Sequence, residues 1–276
     1  MRWLRKNIVG IIAILVLVYL FIPIAVIMAL SFNNPKGKFN LSWNEFSLDA
    51  WTDLCGVPGV CSSFVTSIEI GLVATLAATL LGTMISFALV RYRFRGRSTT
   101  NLLIFLPMAT PEVVMGASLL ALFLNLRFPL GIVTVMVAHV MFIISFVVVT
   151  VKARLQGMDP RLEEAARDLY ANPRAVFRYV TFPLVLPGIL GAALLGFSLS
   201  FDDFIISYFN AGTLVTFPIF IWGAAQRGIP VQVNALATIV FVVALLVVLT
   251  GQFVSARRRR ALERPAPILV DTLSRS

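Results

Sequence analysis

Six apolar segments, each long enough to cross a lipid bilayer as a helix, constrain the fold of this chain more than any other feature of its sequence. A helix needs about 20 residues to span the roughly 30 Å hydrocarbon core. The apolar segments are residues 8–30, 64–90, 102–126, 130–151, 184–207 and 236–256. Their apolar character is continuous and lacks the period-two alternation of a membrane β-barrel. The sequence therefore predicts an all-α integral membrane protein with six transmembrane helices.

The composition excludes a soluble globular enzyme. Hydrophobic residues make up 59% of the 276 positions and charged residues only 13%, and the mean hydropathy is +0.91. Soluble domains contain about twice that fraction of charged residues. The formal net charge of +10 would by itself also suit a protein that binds nucleic acid. Its meaning depends on where the basic residues fall along the chain.

Nineteen of the 23 Lys and Arg residues fall in segments that a six-helix arrangement places on one side of the membrane. These segments are residues 1–7, 91–101, 152–183 and 257–276. An excess of basic residues marks the cytoplasmic side. We therefore predict a cytoplasmic N-terminus over residues 1–7, a transmembrane domain over residues 8–256, and a disordered cytoplasmic tail over residues 257–276. Topology accounts for the net charge, so nucleic acid is not expected as a partner.

The longest segment on the opposite side, residues 31–63, contains both cysteines, Cys55 and Cys61. Their separation permits a disulfide in an oxidising compartment. Two unpaired thiols in a mobile loop are the alternative. A second segment on this side, residues 208–234, is apolar and rich in glycine, and it predicts a short helix that lies at the outer surface or lines a cavity.

Strong local helix signals occur in the basic segment 152–183. Asp159 is expected to cap a helix that begins at Pro160, and Glu163 and Glu164 favour the positive end of that helix. One face combines small and apolar residues at helical spacing, namely Leu162, Ala165, Ala166 and Leu169. The two alanines would let another surface approach closely, as in a docking helix. A connecting loop that packs only on its own bundle is the alternative.

A second short helix is predicted after the first one. Asn172 and Pro173 repeat the cap-plus-proline pattern, and this helix is expected to end near Pro183, at the entrance to the fifth transmembrane helix.

The same segment contains a spaced motif. Glu164-Ala165-Ala166 is followed by Tyr170 and then by Val180, Phe182 and Pro183. This pattern resembles the Glu-Ala-Ala motif in the membrane subunits of type I (MetI-like) ABC importers, and its spacing matches throughout. Tyr170 stands where the family has glycine, and Phe182 stands where it has leucine. The glycine lets the chain turn after the docking helix, so Tyr170 leaves the turn geometry open, although Asn172-Pro173 can supply a break.

The resemblance covers nearly the whole chain and is strongest to the second permease of spermidine/putrescine importers. It extends to four strings: Arg91-Tyr-Arg-Phe-Arg-Gly96, Pro111-Glu-Val-Val-Met-Gly116, Ser200-Phe-Asp-Asp203 and Val233-Asn-Ala-Leu-Ala-Thr-Ile239. It implies a MetI-like bundle in a bacterial cell membrane that pairs with a second permease subunit, binds two ATPase subunits beneath the membrane and receives its solute from an extracytoplasmic binding protein. The implied solute is a polyamine, and another small solute is the alternative.

The resemblance also implies that residues 152–183 form a loop that couples the bundle to the ATPase. The residues implied in this coupling are Glu164, Ala165, Ala166, Leu169, Tyr170 and Pro183. The chain lacks a Gly-x4-Gly-Lys-Ser/Thr phosphate loop, so it is not expected to be an enzyme. ATP and Mg²⁺ are expected on the partner ATPase, with no metal or cofactor in this chain. A stand-alone secondary transporter or a channel is the alternative from another class.

Ionisable residues inside a membrane are costly and indicate functional sites by default. Five fall within the predicted helices: Glu69, Glu112, His139, Asp202 and Asp203. Asp202 lies about 22 Å along the helix from Pro187, in the outer half of the bilayer, where a cationic solute would meet it early. Adjacent helical residues point about 100° apart. We therefore expect one of the two aspartates to face the pathway and the other to cap or pair; capping by both is the alternative.

The other three residues are assigned by their surroundings. Glu112 follows Pro107 and Pro111, which must kink the third helix, and it is expected to line the cavity. Glu69 suits an interfacial position as well as a functional one. His139 has no carboxylate or cysteine at ligand spacing, so we expect a packed, hydrogen-bonded residue rather than a metal ligand.

Overall fold

The structure is a computed structural model that describes the backbone of residues 2–262 and the side chains of residues 7–253. Within this range the chain is helical, apart from loops and one isolated antiparallel bridge between Asn33 and Phe46. The helices are α1 (Arg2–Leu30), α2 (Asp49–Thr52), α3 (Val60–Arg91), α4 (Arg97–Ala109), α5 (Glu112–Asn125), α6 (Ile132–Gln156), α7 (Arg161–Asp168), α8 (Pro173–Val176), α9 (Phe182–Phe201), α10 (Ile205–Asn210), α11 (Phe217–Arg227) and α12 (Val231–Leu262). A π-helical turn, Phe177–Thr181, joins α8 to α9.

Five helical stretches in the described part of the chain are long and apolar enough to span a membrane. They are Asn7–Leu30, Val60–Arg91, Ile132–Gln156, Pro173–Phe201 and Val231–Phe253. Helices α4 and α5 together meet the same criterion as a sixth, bent span. The predicted all-α membrane fold is confirmed, with a broken third span.

The third span differs most from its prediction as one kinked helix over residues 102–126. Helices α4 and α5 meet at 108°. Thr110 between them has extended backbone, and Pro111 follows it. Proline cannot donate a backbone hydrogen bond and disfavours helical backbone at the residue before it. Pro111 therefore breaks the helix instead of kinking it, Pro107 lies inside α4, and Glu112 begins a new helix at the break.

The fifth span differs from its prediction at both ends. No separate short helix ends near Pro183; α8, the π-helical turn and α9 form one continuous span from Pro173 to Phe201. The amide of Phe182 donates to the carbonyl of Phe177, five residues back, and this wider turn accommodates the missing amide hydrogen of Pro183. At the other end α9 stops at Phe201, before the expected residue 207, so the two aspartates follow the helix instead of lying inside it.

The last span is longer than the predicted residues 236–256. Helix α12 begins at Val231 and ends at Leu262. Residues 257–262 of the tail that was predicted to be disordered are therefore helical. The rest of that tail, residues 263–276, lies outside the described residues.

The chain divides into two compact units, of which the first combines the residues up to Val57 with those from Arg227 onward. In this unit α1 packs along α12, with the rings of Phe21 and Phe241 edge to face. Phe32 in the loop after α1 stacks on both Phe46 and Trp51. The aromatic residues of this loop thus form a packed cluster.

The second unit, Pro58–Gln226, is built on three long helices that pack against one another, α3, α6 and α9. Glycines allow the close approach. A methyl group added at Gly82 would lie 2.7 Å from Val147, and one added at Gly196 would lie 2.6 Å from Ile143. Small residues at helix contacts are typical of membrane bundles, where packing rather than hydrophobic exclusion holds helices together. This packing fixes α9 relative to α3 and α6.

Candidate functional site

Helix α7 exposes the face that was predicted to dock. Leu162, Glu164 and Ala165 are exposed, and Ala166 is partly exposed. Leu169, just after the helix, is 82% exposed and extends the same face. The exposed face is therefore accessible to a partner protein, as the docking prediction requires.

The helix begins one residue later than predicted. Pro160 precedes Arg161, the first residue of α7, and Oδ1 of Asp159 accepts a hydrogen bond from the amide of Arg161 at 3.0 Å. The predicted second cap is present, because Oδ1 of Asn172 accepts a hydrogen bond from the amide of Ala175 at 2.8 Å. Asn172 is therefore a side-chain cap of α8, whereas Asp159 precedes the N-cap residue of α7, Pro160, and bonds only the first helical amide.

Tyr170 makes the turn that glycine makes in the family motif. Its φ is 60°, in the left-handed region. The amide of Ala171 donates to the carbonyl of Ala166 at 3.1 Å, and the amide of Tyr170 donates to that of Arg167 at 2.9 Å. These two bonds define a Schellman motif, whose left-handed residue is usually glycine. A residue with a Cβ atom pays about 1 kcal/mol or more for this conformation.

Glu163, which the sequence linked only to the helix dipole, is buried and bound by two other elements. The guanidinium of Arg91, at the end of α3, donates to both carboxylate oxygens, with Nη1 2.8 Å from Oε2 and Nη2 bonded to Oε1. The hydroxyl of Thr181, in the π-helical turn, donates to Oε1 at 2.6 Å. No local sequence signal links Glu163 to Arg91 or Thr181, because both lie far from it along the chain.

The electrostatics keep Glu163 ionised. Burial by itself would raise the pKa of this carboxyl group. The hydrogen bonds from Arg91 and Thr181 and the positive charges of Arg91 and Arg167 outweigh burial, so the pKa is lowered below its ordinary value. Glu163 is therefore a carboxylate at neutral pH.

The two adjacent aspartates after α9 have different surroundings. Asp203 is buried and caps α10: its Oδ2 accepts a hydrogen bond from the amide of Ser207 at 2.8 Å, and its Oδ1 accepts one from Ile206 at 3.3 Å. Asp202 is exposed. The break in the span thus separates a structural carboxylate from an accessible one.

His139 on α6 completes a buried polar cluster with Asp203. Its Nδ1 lies 2.6 Å from Oγ of Ser200, and its Nε2 lies 3.0 Å from Oγ of Ser207 and 3.2 Å from Oδ2 of Asp203. We call His139, Ser200, Asp203 and Ser207 the His139 cluster. His139 is packed and hydrogen-bonded, as expected. It also contacts the carboxylate of Asp203, which the sequence of α6 does not indicate.

Glu112 lies close to both aspartates. Its carboxyl group interacts electrostatically with those of Asp202 and Asp203. This proximity follows from the packing of α5 on α10, where Nδ2 of Asn210 donates to the carbonyl of Gly116 at 3.2 Å. Two helix breaks, one before α5 and one after α9, thus bring together the three carboxylates that were predicted to line the pathway. Glu69 is exposed on α3.

A cavity of about 440 Å³ lies beside Asp202. Its walls include four aromatic rings, those of Phe201, Phe204, Phe217 and Trp222. The faces of aromatic rings attract cations, and a neighbouring carboxylate adds to that attraction. We call Asp202 and these four rings the acidic–aromatic site. Glu112 is not among the residues that line it, but its carboxyl group interacts electrostatically with that of Asp202. The chemistry of the acidic–aromatic site suits an organic cation.

Among the described side chains, those of residues 7–253, no group of three His, Cys, Asp or Glu residues could hold a metal ion. Cys55 and Cys61 are not free thiols.

The sequence matches the model of a known protein family. The model of the inner membrane component of binding-protein-dependent transport systems covers residues 74–261. The spermidine/putrescine transport system permease protein PotC of Haemophilus influenzae is 37% identical over 240 residues, which are 87% of this chain and 93% of that protein. The putrescine transport system permease protein PotI of Escherichia coli K12 is 34% identical over 230 residues, 80% of this chain and 81% of that protein.

A solved structure shares the fold. A chain of a bacterial ABC transporter involved in the import of the acidic polysaccharide alginate aligns with a TM-score of 0.59 at 16% identity, over 91% of this chain and 97% of that one. The family model covers well over half of the sequence, and the relatives align over most of it. This chain belongs to the family of inner membrane components of binding-protein-dependent transport systems.

Proposed function

We propose that this membrane permease subunit moves polyamines such as spermidine and putrescine into the cytoplasm. The observation that carries the proposal is the acidic–aromatic site, where Asp202 lies beside four aromatic rings and interacts electrostatically with Glu112. A flexible polycation needs separated negative charges and apolar surfaces for its methylene segments. The relatives named for spermidine/putrescine and putrescine transport support the same solute.

The family implies an ATPase and a binding protein as partners. We propose a second permease subunit beside this chain, two ATPase subunits that dock on α7, and an extracytoplasmic protein that delivers the solute. ATP and Mg²⁺ would be bound by the ATPase subunits. On the docking face, Ala165 and Ala166 would allow close contact, and Glu164 would pair with a basic residue of the ATPase. The excess of basic residues supports an orientation with both termini and α7 in the cytoplasm.

The proposed mechanism uses the continuous span from Pro173 to Phe201. One end of this span follows the docking helix, and the other ends beside Asp202. When the ATPase subunits close and move α7, this span would move with it. The distance between Asp202 and Glu112 would change because Glu112 belongs to a different helix, and the bound cation would then be released toward the cytoplasm.

The solute is tested by ATP hydrolysis of the assembled complex in liposomes. The binding protein is added empty, loaded with spermidine or putrescine, or loaded with another small solute. Stimulation only by the polyamine-loaded form is the expected result. Stimulation by another solute alone would reject the polyamine and keep the importer, whereas failure to recruit any ATPase would reject the importer.

The docking face is tested by Ala165→Trp, with Ala165→Ser as the matched control of similar size to the native residue. The indole should prevent close contact between α7 and the ATPase. Uptake should therefore be lost, and ATP hydrolysis should no longer be coupled to transport. Normal uptake by Ala165→Trp would reject docking at this face.

A further inference from the structure

We infer that Arg91, Glu163 and Thr181 form a latch of positioning residues that passes a displacement of α7 to α3 and to the α8–α9 span together. The inference rests on the proposed function, because it assumes that an ATPase moves α7. It concerns how the movement reaches the bundle, which the exposed docking face does not explain.

The first step is the burial pattern of α7. Of its eight residues, all of them described, Glu163 alone is buried. The faces that carry Leu162, Glu164 and Ala165 are exposed. Apolar packing of this helix on the bundle is therefore slight, and the carboxylate of Glu163 is its main side-chain attachment.

The second step is the direction of the three contacts. Arg91 is the last residue of α3, and Thr181 is the last residue of the π-helical turn that precedes α9. The carboxylate binds both, so α7 is tied to two different spans at one point. A paired guanidinium and carboxylate have a fixed relative orientation, which a single-point contact would not impose. π-helical turns occur often at functional sites, which agrees with a role of this turn in the movement.

The third step is the space around the latch. An open groove of about 790 Å³ lies between the end of α3 and the 152–183 loop, and Arg91, Glu163, Arg167 and Thr181 are among the residues that line it. Phe87 of α3 packs edge to face on Phe177 of the π-helical turn, so packing already joins α3 to the α8–α9 span. The latch adds the connection from α7 to both. The hydrogen-bonded latch crosses the groove.

The experiment compares Arg91→Met, Glu163→Gln and Thr181→Val with the wild-type complex in proteoliposomes. The measured quantity is the number of polyamine molecules taken up per ATP hydrolysed, together with the amount of ATPase that co-purifies. Arg93→Met is the matched control, because Arg93 is exposed two residues beyond Arg91. We expect the latch variants to retain the ATPase and to lose about fivefold or more in uptake per ATP, with Arg93→Met unchanged. The exchanged pair Arg91→Glu with Glu163→Arg should recover part of the ratio.

Three outcomes are informative. A wild-type ratio in Arg91→Met and Glu163→Gln would overturn the latch. Loss of the ATPase from all three variants, Thr181→Val included, would show a purely structural role and would also overturn it. If the wild-type complex itself shows no polyamine-dependent hydrolysis, the proposed function fails, and this result is distinct from failure of the latch.

Discussion

Nε2 of His139 lies 3.2 Å from Oδ2 of Asp203, in the interior of the helical bundle. His139 belongs to α6, whereas Asp203 lies between α9 and α10. Because the imidazole also contacts Ser200 and Ser207, it bridges the two helices that meet at this break. The break beside the acidic–aromatic site is therefore held in place by a third helix.

Replacing His139 by alanine should lower the free energy of unfolding by about 3 kcal/mol, because a buried carboxylate loses a partner. Thermal unfolding of the detergent-solubilised complex measures this loss. Ser200→Ala should cost only about 1 kcal/mol, since it removes one hydrogen bond. The double variant His139→Ala with Asp203→Asn should cost less than the sum of the two single changes. Strict additivity would show that the two residues do not interact.

Asp202→Asn should raise the KM for spermidine uptake by about tenfold, the effect of roughly 1.4 kcal/mol of lost charge attraction. Its unfolding temperature should stay unchanged because Asp202 is exposed. Asp203→Asn should instead lower the unfolding temperature, because this buried carboxylate caps α10. Glu45→Gln, a neutralisation of an exposed carboxylate in the loop after α1, is the control. Equal KM values for Asp202→Asn and Glu45→Gln would contradict a role of Asp202 in the pathway.

Tyr170→Gly should stabilise the turn after α7 by about 1 kcal/mol, because glycine adopts the left-handed conformation without a Cβ clash. Slower hydrogen exchange of the amide of Ala171 would report this gain. Tyr170→Ala, which keeps the Cβ atom but removes the exposed ring, should exchange like the wild type. Tyr170→Val should exchange faster, since β-branched residues tolerate positive φ poorly. Equal rates for glycine and alanine would argue against strain at this position.

The latch should be insensitive to pH near neutrality. Because the pKa of Glu163 is lowered in the folded protein, its contribution to stability is complete above the ordinary value of 4.5 and is lost as the pH falls through the lower, folded value. The difference in unfolding temperature between the wild type and Glu163→Gln should be constant from about pH 8 to about pH 5.5 and should shrink below about pH 4. Glu164→Gln, at an exposed carboxylate, should show no such difference. A difference that already declines between about pH 7 and pH 6 would contradict the lowered pKa.

The two cysteines are predicted to bond to each other. A maleimide should then label the denatured wild type only after reduction, because a disulfide sulfur does not react with it. Cys55→Ser should expose one reactive thiol without reduction. Labelling of the unreduced wild type at both positions would contradict the disulfide.

The spans could be predicted from the sequence where apolar character alone defines them. Helices α3 and α6 begin and end within about five residues of the predicted segments, because uninterrupted hydropathy specifies a membrane helix. The break between α4 and α5 could not be predicted in this way. Both halves are apolar, so hydropathy does not register the change of direction at Thr110, and the two prolines indicate a disturbance without its angle.

The carboxylates of the candidate site could be found because charge is rare in apolar segments. Asp202, Asp203 and Glu112 stood out for that reason, but their division into a capping residue and exposed residues required the end of α9. Glu163 was hidden by an adequate local explanation, since an acidic residue in the first turn of a helix already suits the dipole. Its partner Arg91 likewise suited the basic side of the membrane, and only the tertiary structure pairs them.

The unbroken helix from Pro173 to Phe201 also has a consequence for the tolerance of this chain to insertions. At 1.5 Å per residue its 29 residues extend about 43 Å, with the turn after α7 at one end and Asp202 at the other. A single residue inserted into this helix would lengthen it by about 1.5 Å and rotate one end by about 100° relative to the other. Asp202 would then turn away from Glu112 although every side chain of both ends was retained. The relative rotation of the two ends is thus set by the number of residues between them and by the π-helical turn that the span contains.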